Sequence, residues 1–473
     1  MARRKARGNP EVKVVCAAQS IQTDRKWTNP SVLRLAPTGD PVARMVSLSR
    51  DMVLRARDQG WGGPPFDPFL LAQHIKVPVV PREDIADART VPTSRGHVQI
   101  EFNPNRPQGR IRFSIAHEIA HLLFPDSSEQ IRNRASHREV QGDQWQLEML
   151  CNIGAAEMLM PVGSFPELRG ADLSVDHLMR LRADYDVSTE SVFMRLVHLT
   201  DQPAAIFASS RIESGPMAGR YRVDYALRSR SSSLDIERGL VLPEGCVVEE
   251  CTAIGFTAKR EQHLPSTNAR FPIECVGIPP YPGHRYPRVM GLVLAPQLRR
   301  KDAASITYLV GDATEPRGTG NRVIAHVVND RTPRWGGGFA LVVRRKWPLV
   351  QGDFVTWSET DRSRLRLGNV HFAAVQEGLT ICSMVSQHGY GPSPTPRIRY
   401  EALEKCLTAL AEKSRQHGAT VHAPRIGCGQ AGGAWDVVSE LLEDSLCRTG
   451  VQVMVYDVPG QEFRPKKDDS LFR

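Results

Sequence analysis

The spacing of apolar positions changes twice along the chain. From residue 41 to about 200 they recur three and four apart, as in SVDHLMRLRADYDVSTESVFMRLVHLT, 174 to 200. There Leu178, Leu181, Tyr185, Val192, Leu196 and Leu199 form one stripe, which predicts helix, turn and helix, with Ser188 capping the second. From 205 to 297 the pattern becomes short β-type runs between Gly/Pro turns: RYRVDYALRS, GCVVEECTAIGFTA, FPIECVGIPP and RVMGLVLAP. From 305 to 458 strand-like runs alternate with helical ones, as in an α/β domain with a largely parallel sheet. Residues 1–40 have little periodicity and are expected to be partly disordered, and 459–473 read as a tail.

The length, 473 residues, calls for two or three domains. No run of about 18 apolar residues occurs, so no membrane span is expected. The basic N-terminus lacks the apolar stretch of a secretory signal. Nine cysteines are scattered without a CxxC pair, against a disulfide framework or a cysteine zinc ribbon. A cytoplasmic location is expected. The net charge of +9 is a weak hint of an anionic partner, and its run Arg299, Arg300, Lys301 reads as a solvated linker.

The stretch FSIAHEIAHLLFPD, 113 to 126, changes the picture more. On a helix His117 and His121 share a face and can both point at one metal ion. Catalytic zinc takes three protein ligands and keeps a position for water, whose pKa it lowers. Glu118 is placed to accept that water's proton. The apolar flanks Phe113, Ile115, Ile119, Leu122, Leu123 and Phe124 would bury the histidines, which then need partners. A third ligand is expected on QWQLEMLCNIGAAEMLMP, 144 to 161, where Glu148 is a carboxylate in apolar surroundings. Glu157 and Asp143 compete for that role, Glu157 reading better as a solvent-facing or ion-paired residue.

HEIAH followed by LEMLCNIGAAEMLMP resembles the ImmA/IrrE metallopeptidases, and the IrrE branch especially. The resemblance implies Zn2+ held by His117, His121 and Glu148, with Glu118 as general base. It implies cleavage of a regulatory protein such as a transcriptional repressor. The helix-turn-helix-like segment would then be a subdomain packed on the peptidase. DNA contact through Arg180, Arg182 and Arg195 is the weaker reading, since no dense basic recognition helix is present. The β-rich segment stands where the IrrE branch has a GAF-like domain, and carries no ligand motif.

The C-terminal third has its own chemistry. ITYLVGDATEP ends a strand at Gly311-Asp312, and NRVIAHVVND ends one at Asn329-Asp330, followed by RWGGGFAL. TVHAPRIGCGQAGGAWDVV runs from strand through a glycine loop into a helix. Such loops let backbone N–H groups approach a diphosphate. Together these motifs resemble a macro domain of the branch with terminal ADP-ribose glycohydrolases and DarG-like antitoxins. The resemblance implies ADP-ribose binding. Asp312 and Ala313 would lie at the adenine, Asn329 at the distal ribose, and Gly336, Gly337, Gly338 and Phe339 along the first loop. Gly427, Cys428, Gly429 and Gln430 would cradle the diphosphate, and Tyr456 and Asp457 would close the adenine end. That branch's hydrolases use a lysine where this chain has Gln387-His388, and some use an aspartate where it has Gln430-Ala431. Binding is therefore expected ahead of hydrolysis, with His388 or Asp330 the residues of a different hydrolytic arrangement.

The expected architecture is multidomain. Residues 41–165 form a mainly α, zincin-like metallopeptidase and 166–204 a helical subdomain. Residues 205–297 form a β-rich, GAF-like domain and 305–458 an α/β macro domain. The expected function is a zinc endopeptidase controlled or targeted by ADP-ribose or an ADP-ribosylated target. The alternatives are an ADP-ribose reader or transcription regulator without proteolysis, and an ADP-ribosyl hydrolase with an accessory peptidase fold.

Overall fold

The computed structural model describes residues 27–93, 97–127, 132–133, 142–165, 173–264, 269–281, 284–295, 305–361 and 363–460. The basic N-terminal cluster, the Arg299–Lys301 run and most of the C-terminal tail lie outside them. The segment 1–40 is nonetheless partly built: α1 (Pro30–Leu35) is capped by Asn29, whose side chain accepts the N–H groups of Ser31 and Val32.

The first domain places α2 (Pro41–Asp58) and α3 (Pro68–His74) before a small sheet. The sheet holds β1 (Val79–Pro81), β2 (Ala88–Pro92), β3 (Val98–Phe102) and β4 (Arg132–Asn133), in the order β1-β3-β2-β4. The apolar pattern did not predict this sheet within a helical region. Its strands are short and carry Arg89, Gln99, Glu101 and two prolines, so no alternation stands out. Helix α4 (Gln108–His121) packs against it, and α5 (Gln144–Leu159) packs on the other side of α4, against α2. Gly154 on α5 permits their close approach: a Cβ there would sit 2.9 Å from Ala120 Cβ and 3.0 Å from Met45 Sδ.

Helices α6 (Val175–Tyr185) and α7 (Thr189–Leu199) follow, the second capped by Ser188 on the N–H of Ser191. Helix α7 packs on α5 of the peptidase and α6 on α7, with Arg180 and Arg182 exposed on α6. Arg195 is 4% exposed and its guanidinium meets Glu157 at 2.6 Å, which corrects its reading as a DNA contact. Of the two readings of Glu157, the ion pair holds and the solvent-facing one does not: it is as buried as Arg195.

The middle domain is a five-stranded antiparallel sheet. It holds β5 (Ala204–Arg211), β6 (Tyr221–Arg228), β7 (Thr257–His263), β8 (Arg270–Ile278) and β9 (Arg288–Leu294), in the order β6-β5-β9-β8-β7. The run GCVVEECTAIGFTA is only partly strand, since Val247–Glu250 form a 3-10 turn before β7.

The last domain has β10 (Thr307–Val310), β11 (Arg322–Asn329), α8 (Gly338–Lys346), α9 (Pro348–Thr360), β12 (Val370–Gln376) and β13 (Leu379–Gln387). Next come α10 (Tyr400–Gln416), β14 (Thr420–Pro424), α11 (Trp435–Ser445) and β15 (Val453–Asp457). Its sheet runs β10-β15-β14-β11-β13-β12, parallel except for the β12–β13 pair. One apolar core runs continuously from the peptidase helices into this domain. No helix among the described residues is long and apolar enough to cross a membrane.

Candidate functional site

Helix α4 is buried along its second half, from Ser114 to His121. That environment holds His117, Glu118 and His121 at 1%, 0% and 0% exposure, so their polar atoms must meet partners inside the protein. Helix α5 supplies three. Glu148 lies with Oε2 3.2 Å from His117 Nε2 and Oε1 3.8 Å from His121 Nε2. Asn152, one turn on, has Oδ1 2.8 Å from His117 Nδ1. Cys151 has Sγ 3.3 Å from His121 Nδ1. With Nδ1–H donated to Asn152, a neutral His117 turns the lone pair of Nε2 toward the carboxylate. Glu118 is fixed from the sheet: the Thr90 hydroxyl on β2 donates to Oε2 at 2.7 Å.

These donors suit a divalent metal. Two imidazole Nε2 atoms converge on one carboxylate, and the far nitrogens have their own partners. His117, His121 and Cys151 also bring ligand atoms within 4.8 Å of one another. The two sets differ in exposure: Cys151 is fully buried, whereas the Glu148 side chain is 16% exposed.

The second site is the edge of the last sheet where β10, β11, β13, β14 and β15 end, the usual position for ligands of parallel sheets. Gly427 holds φ +73° and the N–H of Gly433 donates to its carbonyl at 2.8 Å, closing the loop after β14. The loop after β11 approaches it so closely that a Cβ on Gly337 would lie 2.7 Å from Gln430 Oε1. Gly336, Gly338, Gly429 and Gln430 are exposed, Gly427 and Phe339 half-buried, and Ala313 buried. Cys428 donates to the Ile426 carbonyl, and burial pushes its thiol up to about 12, so it is no nucleophile near neutral pH.

Several of the expected ligand residues are engaged internally. Asp312 Oδ1 accepts the N–H of Thr314. Asn329 Oδ1 accepts those of Arg331 and Thr332. Tyr456 is buried, its oxygen accepting the Arg317 N–H at 2.9 Å and lying 3.0 Å from His422 Nδ1. Asp457 holds Arg425 through two bonds, at 2.5 and 2.8 Å, beneath the rings of Tyr308 and Trp435. At the same edge, His388 Nδ1 lies 2.8 Å from Asp330 Oδ2, whose other oxygen accepts the Gly389 N–H.

Sequence reasoning missed Thr90, Cys151, Asn152 and Arg425. Asn152 was open to discovery, because four residues after Glu148 on a helix lies on the same face. Thr90 carried no signal, since only the fold brings β2 to α4.

The buried His-Glu-x-x-His helix braced by a carboxylate helix has the arrangement of a metallopeptidase site, and the last domain carries glycine loops at the strand ends of a largely parallel sheet. Residues 80–197 match the IrrE N-terminal-like domain of the M78 peptidases. The Deinococcus deserti radiation response metalloprotease IrrE is 32% identical over 149 residues, 30% of this chain and 52% of that protein. Human ADP-ribose glycohydrolase OARD1 is 28% identical over 156 residues, 33% of this chain and 93% of that protein. The mouse chromodomain-helicase-DNA-binding protein 1-like is 30% identical over 179 residues, 34% of this chain. The chain spans only 19% of that mouse relative's length. This protein therefore joins an IrrE-type peptidase domain to a macro domain.

Proposed function

We propose that the protein is a zinc-dependent endopeptidase acting on a regulatory protein, such as a transcriptional repressor, under the control of ADP-ribose or an ADP-ribosylated target held by its macro domain. The observation that carries this is the meeting of His117 Nε2, His121 Nε2 and the Glu148 carboxylate beside a Glu118 fixed by Thr90. Glu148 is the third ligand in this reading, because it addresses the Nε2 atoms of both histidines and is part-exposed, whereas Cys151 is fully buried and meets His121 at Nδ1. When bound, zinc supplies a polarised water and Lewis-acid stabilisation of the scissile carbonyl. Glu118 takes the proton of the attacking water and hands it to the leaving amine. Thr90 orients the carboxylate for that transfer by donating to Oε2. Asn152 holds His117 in the ligating tautomer. On the macro edge, the 336–338 and 427–433 loops offer backbone N–H groups to a diphosphate.

The test compares new protein N-termini in cells expressing wild type or Glu118→Gln, with and without a NAD-consuming, ADP-ribosylating stress. Fragments confined to wild type identify the substrate. Their absence under stress, with zinc bound, defeats the peptidase reading.

A second reading rests on the Asp330–His388 pair. A carboxylate-oriented imidazole at the sheet edge is a general-base arrangement that fits removal of ADP-ribose from a modified target. Release of ADP-ribose from modified protein, lost in His388→Ala, supports it; no release from any modified protein defeats it.

A further inference from the structure

A cavity of about 530 Å³ lies where the three domains meet; Met149, next to Glu148 on α5, lines it, but none of the residues of the two sites described above does. Its apolar wall is built by Val42 and Val46 of α2, Val197 of α7, and Ala205, Ala226 and Leu227 of β5 and β6. Helices α10 and α11 contribute Thr408 and Ser445. Much of the charge around it is already matched. Asp40 accepts the N–H groups of Val42 and Ala43. Glu157 pairs with Arg195, Glu404 and Asp444 pair with Arg50, and Asp444 also holds Arg448 at 2.9 Å. Arg230 is different. It lines the cavity from an exposed position, and no ion pair joins it to any described residue. Burial and the charges of Arg448 and Arg50 lower its pKa from the ordinary arginine range, with Asp444 and Glu157 acting against them at longer range. A cation with no direct ion pair, facing Asp40, Asp444 and Glu157 only at longer range and set beside an apolar wall, suits a ligand that is negative at one end and apolar at the other.

We propose that this cavity binds a small organic anion with an apolar body, its charged group paired with Arg230. Such a ligand touches all three domains at once, so its binding favours their docked arrangement by mass action. Peptidase, macro and middle domains would then answer to a molecule other than the one read at the macro sheet edge.

The probe is 8-anilinonaphthalene-1-sulfonate, a sulfonate on an aromatic body, titrated into the full-length protein and followed by fluorescence. One saturable site per chain is expected. Arg230→Met should weaken it about tenfold or more. Arg345→Met, which removes an exposed cation from α8, should leave it unchanged. Ala226→Phe fills the cavity without altering charge and should abolish binding, with thermal melts confirming that each variant is folded. The proposal is overturned if Arg230→Met binds as tightly as wild type, or if both arginine variants weaken binding equally. Non-saturating binding overturns it too.

Discussion

Glu118 is fully buried on an apolar helix, yet one of its oxygens is held by a single hydroxyl from across the domain. Replacing its carboxylate by an amide keeps size and polarity but removes the base. Glu118→Gln should lower peptidase turnover by about 10²–10⁴-fold while zinc content, read by metal analysis, stays at one per chain. Asn152→Leu acts one step further out. It frees the His117 tautomer and should weaken zinc binding by about 10–100-fold in a chelator competition, a readout independent of turnover. That His117 and His121 share a face was legible in the sequence because helical spacing is a short-range geometric fact, whereas Glu148, on another helix, was singled out by its apolar setting and the family resemblance. Thr90 and the Arg425–Asp457 pair were not, because nothing local signals which strand will face a helix or which cation will claim a carboxylate. A pH effect also belongs to this scale. Burial holds His326 down at about 3, against its ordinary 6.5, and it meets Ser383 as a neutral ring. The unfolded chain therefore binds the proton first. The stability contributed is complete above pH 6.5 and is lost as pH falls from there toward 3. Thermal melts should show this decline, and His326→Gln should make it shallower.

Among the elements, α5 does most to position the chemistry. It carries Glu148, Cys151 and Asn152 toward α4, and Glu157 toward α7. Its apolar residues surround it on nearly every side, so its burial was readable but not the direction of each polar residue. That is why Glu157 read as solvent-facing or paired without a choice between them. In the fold, the Glu157 and Arg195 side chains are 5% and 4% exposed. Glu157→Gln would strand a buried guanidinium and should cost about 3 kcal/mol in denaturant melts. The small sheet beside α4 was hidden for a different reason. Its strands span two to five residues and pair across distant segments, so neither length nor alternation marks them against the helical background.

At the scale of the molecule, the question is how a ligand at the macro edge reaches a metal site on another domain. The loop of residues 427–433 leads directly into α11, whose Glu440 accepts the N–H of Gly163 at 2.6 Å, just beyond the end of α5. Arg195, the partner of Glu157, lies 3.8 Å from the same Glu440. A shift of α11 on ligand binding therefore reaches, through Glu440, the segment that follows α5 and, through Arg195, Glu157 on the helix that carries Glu148. Coupling of this kind requires that ADP-ribose bind the cleaving arrangement better than the resting one. ADP-ribose should then change the cleavage rate of the wild-type protein about fivefold or more, which is the typical size of such couplings. Glu440→Gln keeps the loop and the metal residues intact, so calorimetry should find ADP-ribose affinity near that of wild type. The rate response to ADP-ribose should shrink toward one. A Glu440→Gln protein that still responds fully would mean that the connection runs elsewhere, through Arg50 and its partners Glu404 and Asp444 on α10 and α11.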